Sequence, residues 1–181
     1  VTGAATDLYD LADEVLSVCE AALALLPAGV PARSYVAHGL PAIDCEQLTV
    51  SVFTVPQADT SPRSLPLDRQ FKVSKFGSLN LIFLTVQLVR CYPPVTASGR
   101  QQNLAPRVED LTAFSQLIYA DGWQLWNGLQ TAKRLGAFAG TCREFSLDPL
   151  LPIQPQGGFA GWAVPIEVQL DGFNVAFPSV P

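Results

Sequence analysis

Apolar residues recur along the first part of the chain at helical spacing. Leu8, Leu11, Ala12, Val15, Cys19, Ala22, Leu23 and Leu26 fall on one face, and Asp7, Asp10, Asp13, Glu14 and Glu20 lie on the other with no base between them. Thr6 precedes this run as an N-cap candidate, acids sit in the first turn, and Pro27 and Gly29 follow it, so the spacing predicts an amphipathic helix over 7–26. The period then changes. Segment 30–46 has two prolines and His38-Gly39, and reads as a short extended piece followed by a turn. From 47 to 55 Leu48, Val50 and Val52 alternate with Thr49 and Ser51, which predicts a strand.

Residues 78–91 are apolar on both parities, the pattern of a long strand covered on both faces. Leu111, Phe114, Ile118, Leu125 and Leu129 mark a second long helix from Arg107 to about Arg134, ended by Gly136, with Trp123 and Trp126 away from the centre of its stripe and expected to pack. Residues 141–147 suggest a short strand. Trp162, Val164, Ile166, Val168 and Leu170 alternate through a final one, where Pro165 implies an edge position or a bulge. The expectation is one α+β domain over 1–181. It has an antiparallel sheet of about four strands covered on one face by two long helices, in the order α-β-β-α-β-β. The proline-bearing segments 56–76 and 93–106 are its long loops.

Composition narrows the function. Hydrophobic residues make up 49% and charged ones 15%, too apolar for a disordered chain and sparse enough in charge that partners are expected to cover some surface. A formal charge of −5 disfavours phosphate-backbone binding, so no direct nucleic-acid recognition is expected. The first six residues lack the basic and apolar regions of a signal peptide, and Leu79–Val89 is too short and too interrupted to span a bilayer. The expectation is therefore a cytoplasmic origin with no membrane partner. Arg63, Arg69, Lys72 and Lys75 stand against Asp59 and Asp68 in loop 56–76, a net +2 that leaves −7 for the rest of the chain. With Asp7, Asp10, Asp13 and Glu14 they form the candidate subunit interface, an acidic helix face on one copy meeting a basic loop on the next.

Catalytic chemistry finds little to stand on. His38 is the single histidine, and a nucleophilic pair with Cys45 lacks a group to select and orient it. His38, Asp44 and Cys45 do not have the count or spacing of metal ligands, and Gly157-Gly158-Phe159-Ala160-Gly161 lacks the Lys-Ser/Thr of a phosphate loop, reading instead as a turn into the last strand. Glu109-Asp110 suit the first turn of the second helix. No catalytic, cofactor or metal residues are assigned. The four cysteines (Cys19, Cys45, Cys91, Cys142) read by default as buried thiols. If strands 47–55 and 78–91 pair as a hairpin, however, counting back brings Cys45 beside Cys91.

The order of elements resembles a known family. It runs from the acidic Asp7-Leu8-Tyr9-Asp10-Leu11-Ala12 helix through Arg33-Ser34-Tyr35-Val36 to Asp44-Cys45-Glu46-Gln47-Leu48-Thr49-Val50. Val89-Arg90-Cys91-Tyr92-Pro93, Tyr119-Ala120-Asp121 with Leu125-Trp126, and Gly157-Gly158-Phe159-Ala160-Gly161-Trp162 follow. This layout resembles the tail terminator and head-to-tail completion (neck) proteins of long-tailed, siphovirus-like phages of actinobacteria. The resemblance implies a structural virion subunit, assembled in the host cytoplasm into a ring, a homohexamer, that caps the tail tube and joins it to the head. Its partners would be copies of itself, the tail tube protein and neck or connector proteins, with no catalysis and no cofactor. The alternatives are a connector subunit and, in another class, a ligand- or peptide-binding module using Trp123, Trp126 and the Gly157–Trp162 turn.

Overall fold

The computed structural model describes residues 8–39, 41–54, 80–92, 107–139, 142, 144–156 and 158–170. Loops 56–76 and 93–106, and with them Arg63, Arg69, Lys72 and Lys75, lie outside the described residues, as does Asp7. The elements are α1 (Leu8–Leu23), β1 (Arg33–His38), β2 (Gln47–Thr54), β3 (Asn80–Cys91), α2 (Val108–Arg134), β4 (Glu144–Leu147), β5 (Leu151–Gln156) and β6 (Phe159–Leu170). The α+β class holds, but among the described residues the sheet has six strands rather than about four and is mixed rather than antiparallel.

Its strand order is β1-β2-β3-β6-β4, with β5 also on β6. Both helices pack into one core with the inward-facing side chains of the sheet. Rows of register partners build that face: Val50, Val86 and Val164 in one, Val52, Leu84, Ile166 and Leu147 in the next, and Ile82, Val168 and Phe145 in a third. Leu11, Val15, Cys19 and Leu23 of α1 and Leu125 and Leu129 of α2 close over them, all fully buried. The helices approach closely at Gly128, where a Cβ would lie 2.5 Å from that of Ala22.

Two corrections concern strands. The first is β1, expected as an extended piece ending in a turn; it pairs parallel with β2, Arg33 against Gln47 through His38 against Val52. Parallel neighbours normally need a crossover of a dozen or more residues, and here only residues 39–46 intervene. Fully extended, those eight residues reach about 27 Å, enough to run back along a six-residue strand of about 20 Å. Side chains clamp this return. Arg33 donates to the Cys45 carbonyl (3.0 Å) and pairs with Asp44 (2.6 Å), and Gln47 donates to the Ala42 carbonyl and accepts from the Asp44 N–H.

The second is β5, which was not expected. β4 and β5 lie end to end along β6, β4 against residues 166–169 and β5 against 159–163. The break between them falls opposite Pro165. The Pro165 carbonyl accepts from the Asp148 N–H at 2.9 Å, so its imide nitrogen also faces the broken edge, and the missing N–H removes no bond to β3. β6 is thus neither an edge nor bulged against β3, where its register with Asn80–Cys91 is unbroken.

Helix ends follow local chemistry. Beyond Leu23 the N–H groups of Leu25 and Leu26 bond three residues back, which tightens the last turn and shortens α1 from the expected 26. α2 ends as expected at Gly136, φ +74°. The Gly136 N–H bonds the Lys133 carbonyl and the Ala137 N–H reaches that of Ala132, the Schellman pattern.

Candidate functional site

Two features stand out from the packed core: a buried ionic joint at the Cys91 end of the sheet, and an aromatic surface on α2.

Arg90 sits on the helix-facing side of β3, one residue before Cys91, with its side chain 4% exposed. A buried guanidinium needs partners for its donors, and three different segments supply them. Nε donates to Asp121 Oδ2 of α2 at 2.8 Å, and Nη2 reaches Oδ1 at 3.4 Å. The same Nη2 donates to the Gly29 carbonyl after α1 (2.7 Å), and Nη1 donates to Glu46 Oε2 (3.1 Å). The other oxygen of Glu46 accepts the Cys91 N–H at 3.2 Å. Burial works against the Arg90 charge, but Asp121 and then Glu46 more than offset it and hold its pKa above the usual value. Burial pushes the Asp121 carboxyl up, with Arg90 pulling back.

Beside the joint, Cys45 and Cys91 are joined in a disulfide, with Cα atoms 4.6 Å apart. The register Gln47↔Val89, continued by two residues, places them opposite each other as the hairpin count predicts. The default of four free thiols therefore holds for Cys19 and Cys142 and fails for this pair. Between them Glu46 takes a left-handed backbone, φ +57°, a conformation that side-chain-bearing residues seldom adopt. Glu46, Arg90 and Asp121 were not expected as a unit, since they come from three separate segments and nothing local to any of them marks the others.

The imagined Cys45–His38 pair does not form. His38 lies at one end of the β1–β2 ladder, and Cys45 lies beyond the Arg33–Gln47 pair at the other. Five residue steps separate the ends, roughly 17 Å, and the Cys45 sulfur is spent in the disulfide. Among the described residues no group of three His, Cys, Asp or Glu side chains is placed to hold a metal, and no helix is long and apolar enough to cross a membrane. The glycine segment turns the β5–β6 hairpin at Gly158, φ +94°, with Phe159–Trp162 already in the strand.

The second feature is the outer side of α2. No residue from Val108 to Ala120 is buried, and burial starts at Asp121, Gly122 and Leu125. Tyr119 and Trp123, one turn apart, are 70% and 67% exposed, and Val108 on the same side is 73% exposed. The two tryptophans expected to pack thus divide: Trp126 rests against the core and Trp123 does not. Trp162 of β6 lies beneath this surface. Its Nε1 donates to the Ile118 carbonyl at 2.7 Å, its ring lies 6.1 Å from that of Tyr119, and Gly122 leaves the space the indole fills. Tyr92 packs edge-on to Phe114 at 5.0 Å, fixing the helix's earlier turns.

Of the acidic face of α1, Asp10 and Asp13 are exposed and Glu14 is half-buried, so only part of the expected stripe faces solvent. Compared with known protein families and with curated proteins, the chain matches none.

Proposed function

We propose that this protein is a structural subunit that works by self-association, and that the form its layout resembles, a phage tail terminator ring joining tail to head, is the assembly it builds. The observation that carries the assembly reading is the Tyr119–Trp123 surface: two large aromatic side chains on an ordered helix, each about two-thirds exposed. Burying an aromatic side chain removes roughly 150–250 Å² from water. Residues of this type anchor subunit contacts. The exposed acids Asp10 and Asp13 on α1 and the basic residues Arg63, Arg69, Lys72 and Lys75 would set register between copies, since exposed ion pairs contribute little affinity by themselves.

Analytical ultracentrifugation combined with electron microscopy of the purified chain tests the reading. A discrete closed ring is expected. Trp123→Ala should shift the population toward monomer while leaving the circular dichroism spectrum unchanged. A wild-type chain that stays monomeric at high concentration would overturn self-association and favour the peptide-binding alternative on the same aromatic surface. A ring unaffected by Trp123→Ala would place the contacts elsewhere on the subunit.

A further inference from the structure

The four cysteines fall into two chemical classes. Cys91 is exposed and Cys45 half-buried, whereas Cys19 and Cys142 are buried. Burial and then a nearby glutamate (Glu14 for Cys142, Glu20 for Cys19) push both buried thiols up, Cys142 to about 11 and Cys19 further. Neither offers an accessible thiolate at neutral pH, which is the form that exchanges. Thiol–disulfide exchange in the folded chain therefore has one open route.

The structure brings Cys45 and Cys91 together by means other than their bond. Unbroken pairing from Gln47↔Val89 to Thr54↔Ile82 fixes the β2–β3 register, and the buried rows of valine, leucine and isoleucine hold it, because a slip of one residue would turn them out of the core. Arg33 holds the Cys45 carbonyl, and the Glu46 carboxylate holds the Cys91 N–H. Within the folded chain, what the disulfide adds is local, while in the unfolded chain it limits the loop it closes. It ties the end of the return loop, with Glu46 in its left-handed conformation, across the solvent side of the Arg90–Asp121 pair.

We propose that Cys45 and Cys91 form a redox latch that closes after the chain has folded, locking Glu46 over the buried Arg90–Asp121 joint. The oxidant is a low-molecular-weight disulfide such as oxidised glutathione. The thiolate of one cysteine attacks a sulfur of that disulfide and expels one glutathione thiolate. The thiolate of the second then attacks the protein sulfur of the mixed disulfide and expels the other. Two electrons pass from the cysteine pair to glutathione, and the two thiol protons end on the two glutathione molecules released. Such a chain would mature in a reducing compartment with the latch open and close it on passing to an oxidising one. This inference stands apart from the assembly reading, because it concerns a single subunit.

The test uses the full chain. Reduce it with tris(2-carboxyethyl)phosphine, remove the reductant, add oxidised glutathione under native conditions, and follow melting temperature, circular dichroism and alkylation mapped by mass spectrometry. The reduced chain should keep its spectrum and a cooperative melt about 10 °C lower, the scale set by a cross-link over a separation of 46 residues. Iodoacetamide should label Cys45 and Cys91 and spare Cys19 and Cys142, and oxidised glutathione should restore the single Cys45–Cys91 bond and the original melt. Cys45→Ser/Cys91→Ser should melt like the reduced chain. Loss of fold on reduction would make the disulfide a scaffold rather than a latch and overturn the proposal. Failure of the folded dithiol to close, or a double variant that melts like the oxidised chain, would overturn it as well.

Discussion

Arg90 of β3 and Asp121 of α2, 31 positions apart in the sequence, face each other inside the protein with Nε 2.8 Å from Oδ2 and side chains 4% and 1% exposed. The contact fixes which turn of α2 meets the sheet. It does so two residues from both Tyr119 and Trp123, so the joint sets how the aromatic surface is presented. Removing one partner strands the other's charge in the core, whereas replacing both with apolar residues of similar volume does not.

Arg90→Ala is therefore expected to cost about 3–5 kcal/mol in a urea unfolding titration. Arg90→Met combined with Asp121→Leu should recover most of that loss. A single variant within about 0.5 kcal/mol of wild type would show that Asp121 finds another partner or takes up a proton.

Close backbone approach predicts a second ranking. A Cβ at Gly161 would collide with the Leu88 carbonyl, whereas one at Gly128 would meet the Cβ of Ala22 at the helix crossing. Main chain inside a six-stranded sheet cannot retreat as two helices can. Gly161→Ala should therefore destabilise by about 3 kcal/mol or more, at or beyond the usual overpacking cost, and Gly128→Ala by about 1–2 kcal/mol. Thermal melts of the two variants give the order directly, and the reverse order would refute it.

On the sheet face turned away from the helix-packed core, the hydroxyls of Thr49 and Ser51 and the side-chain carbonyl of Gln87 are buried and find no hydrogen-bond partner among the described residues. Thr49 and Gln87 are direct register partners. A buried polar atom without a partner costs about 1–3 kcal/mol, so Thr49→Val should stabilise the chain by about 1 kcal/mol in the same titration. Destabilisation would mean that an ordered water or another group satisfies the hydroxyl in solution.

Alkaline stability follows from the buried thiols. Burial holds their folded pKa values above the ordinary thiol value of 9.0, Cys142 at about 11 and Cys19 beyond it. Above pH 9 the unfolded chain releases these protons and the folded chain retains them. Stability is thus full below pH 9 and falls as pH rises toward 11, by up to about 1.4 kcal/mol per pH unit per thiol. Cys142→Ala should flatten the slope of unfolding free energy against pH between 9 and 11, and an unchanged slope would assign the loss to other groups.

Much of this molecule is determined by periodicity that any stretch of the chain carries by itself. The 3.6-residue stripe from Leu11 to Leu23 and the alternation of Leu48, Val50 and Val52 each identify an element because the side chains that must be buried lie a few positions apart. Cys45 and Cys91 could be paired on paper for a related reason: two strands of clear pattern joined in an antiparallel hairpin have only a few registers that bury the right faces. The tertiary structure alone decided the rest. β1 carries too few apolar residues to announce itself, and its parallel pairing runs through a short return, bridged by Arg33 and Gln47, that sequence rules disfavour. Pro165 marked a constraint without saying how it is met, by a break in the neighbouring edge. Arg90, Glu46 and Asp121 look like ordinary surface charges one by one. Only folding, which sets segments far apart in sequence side by side out of reach of water, turns them into a joint, and only the rotation of α2 on that joint leaves Trp123 outside while Trp126 packs against the core.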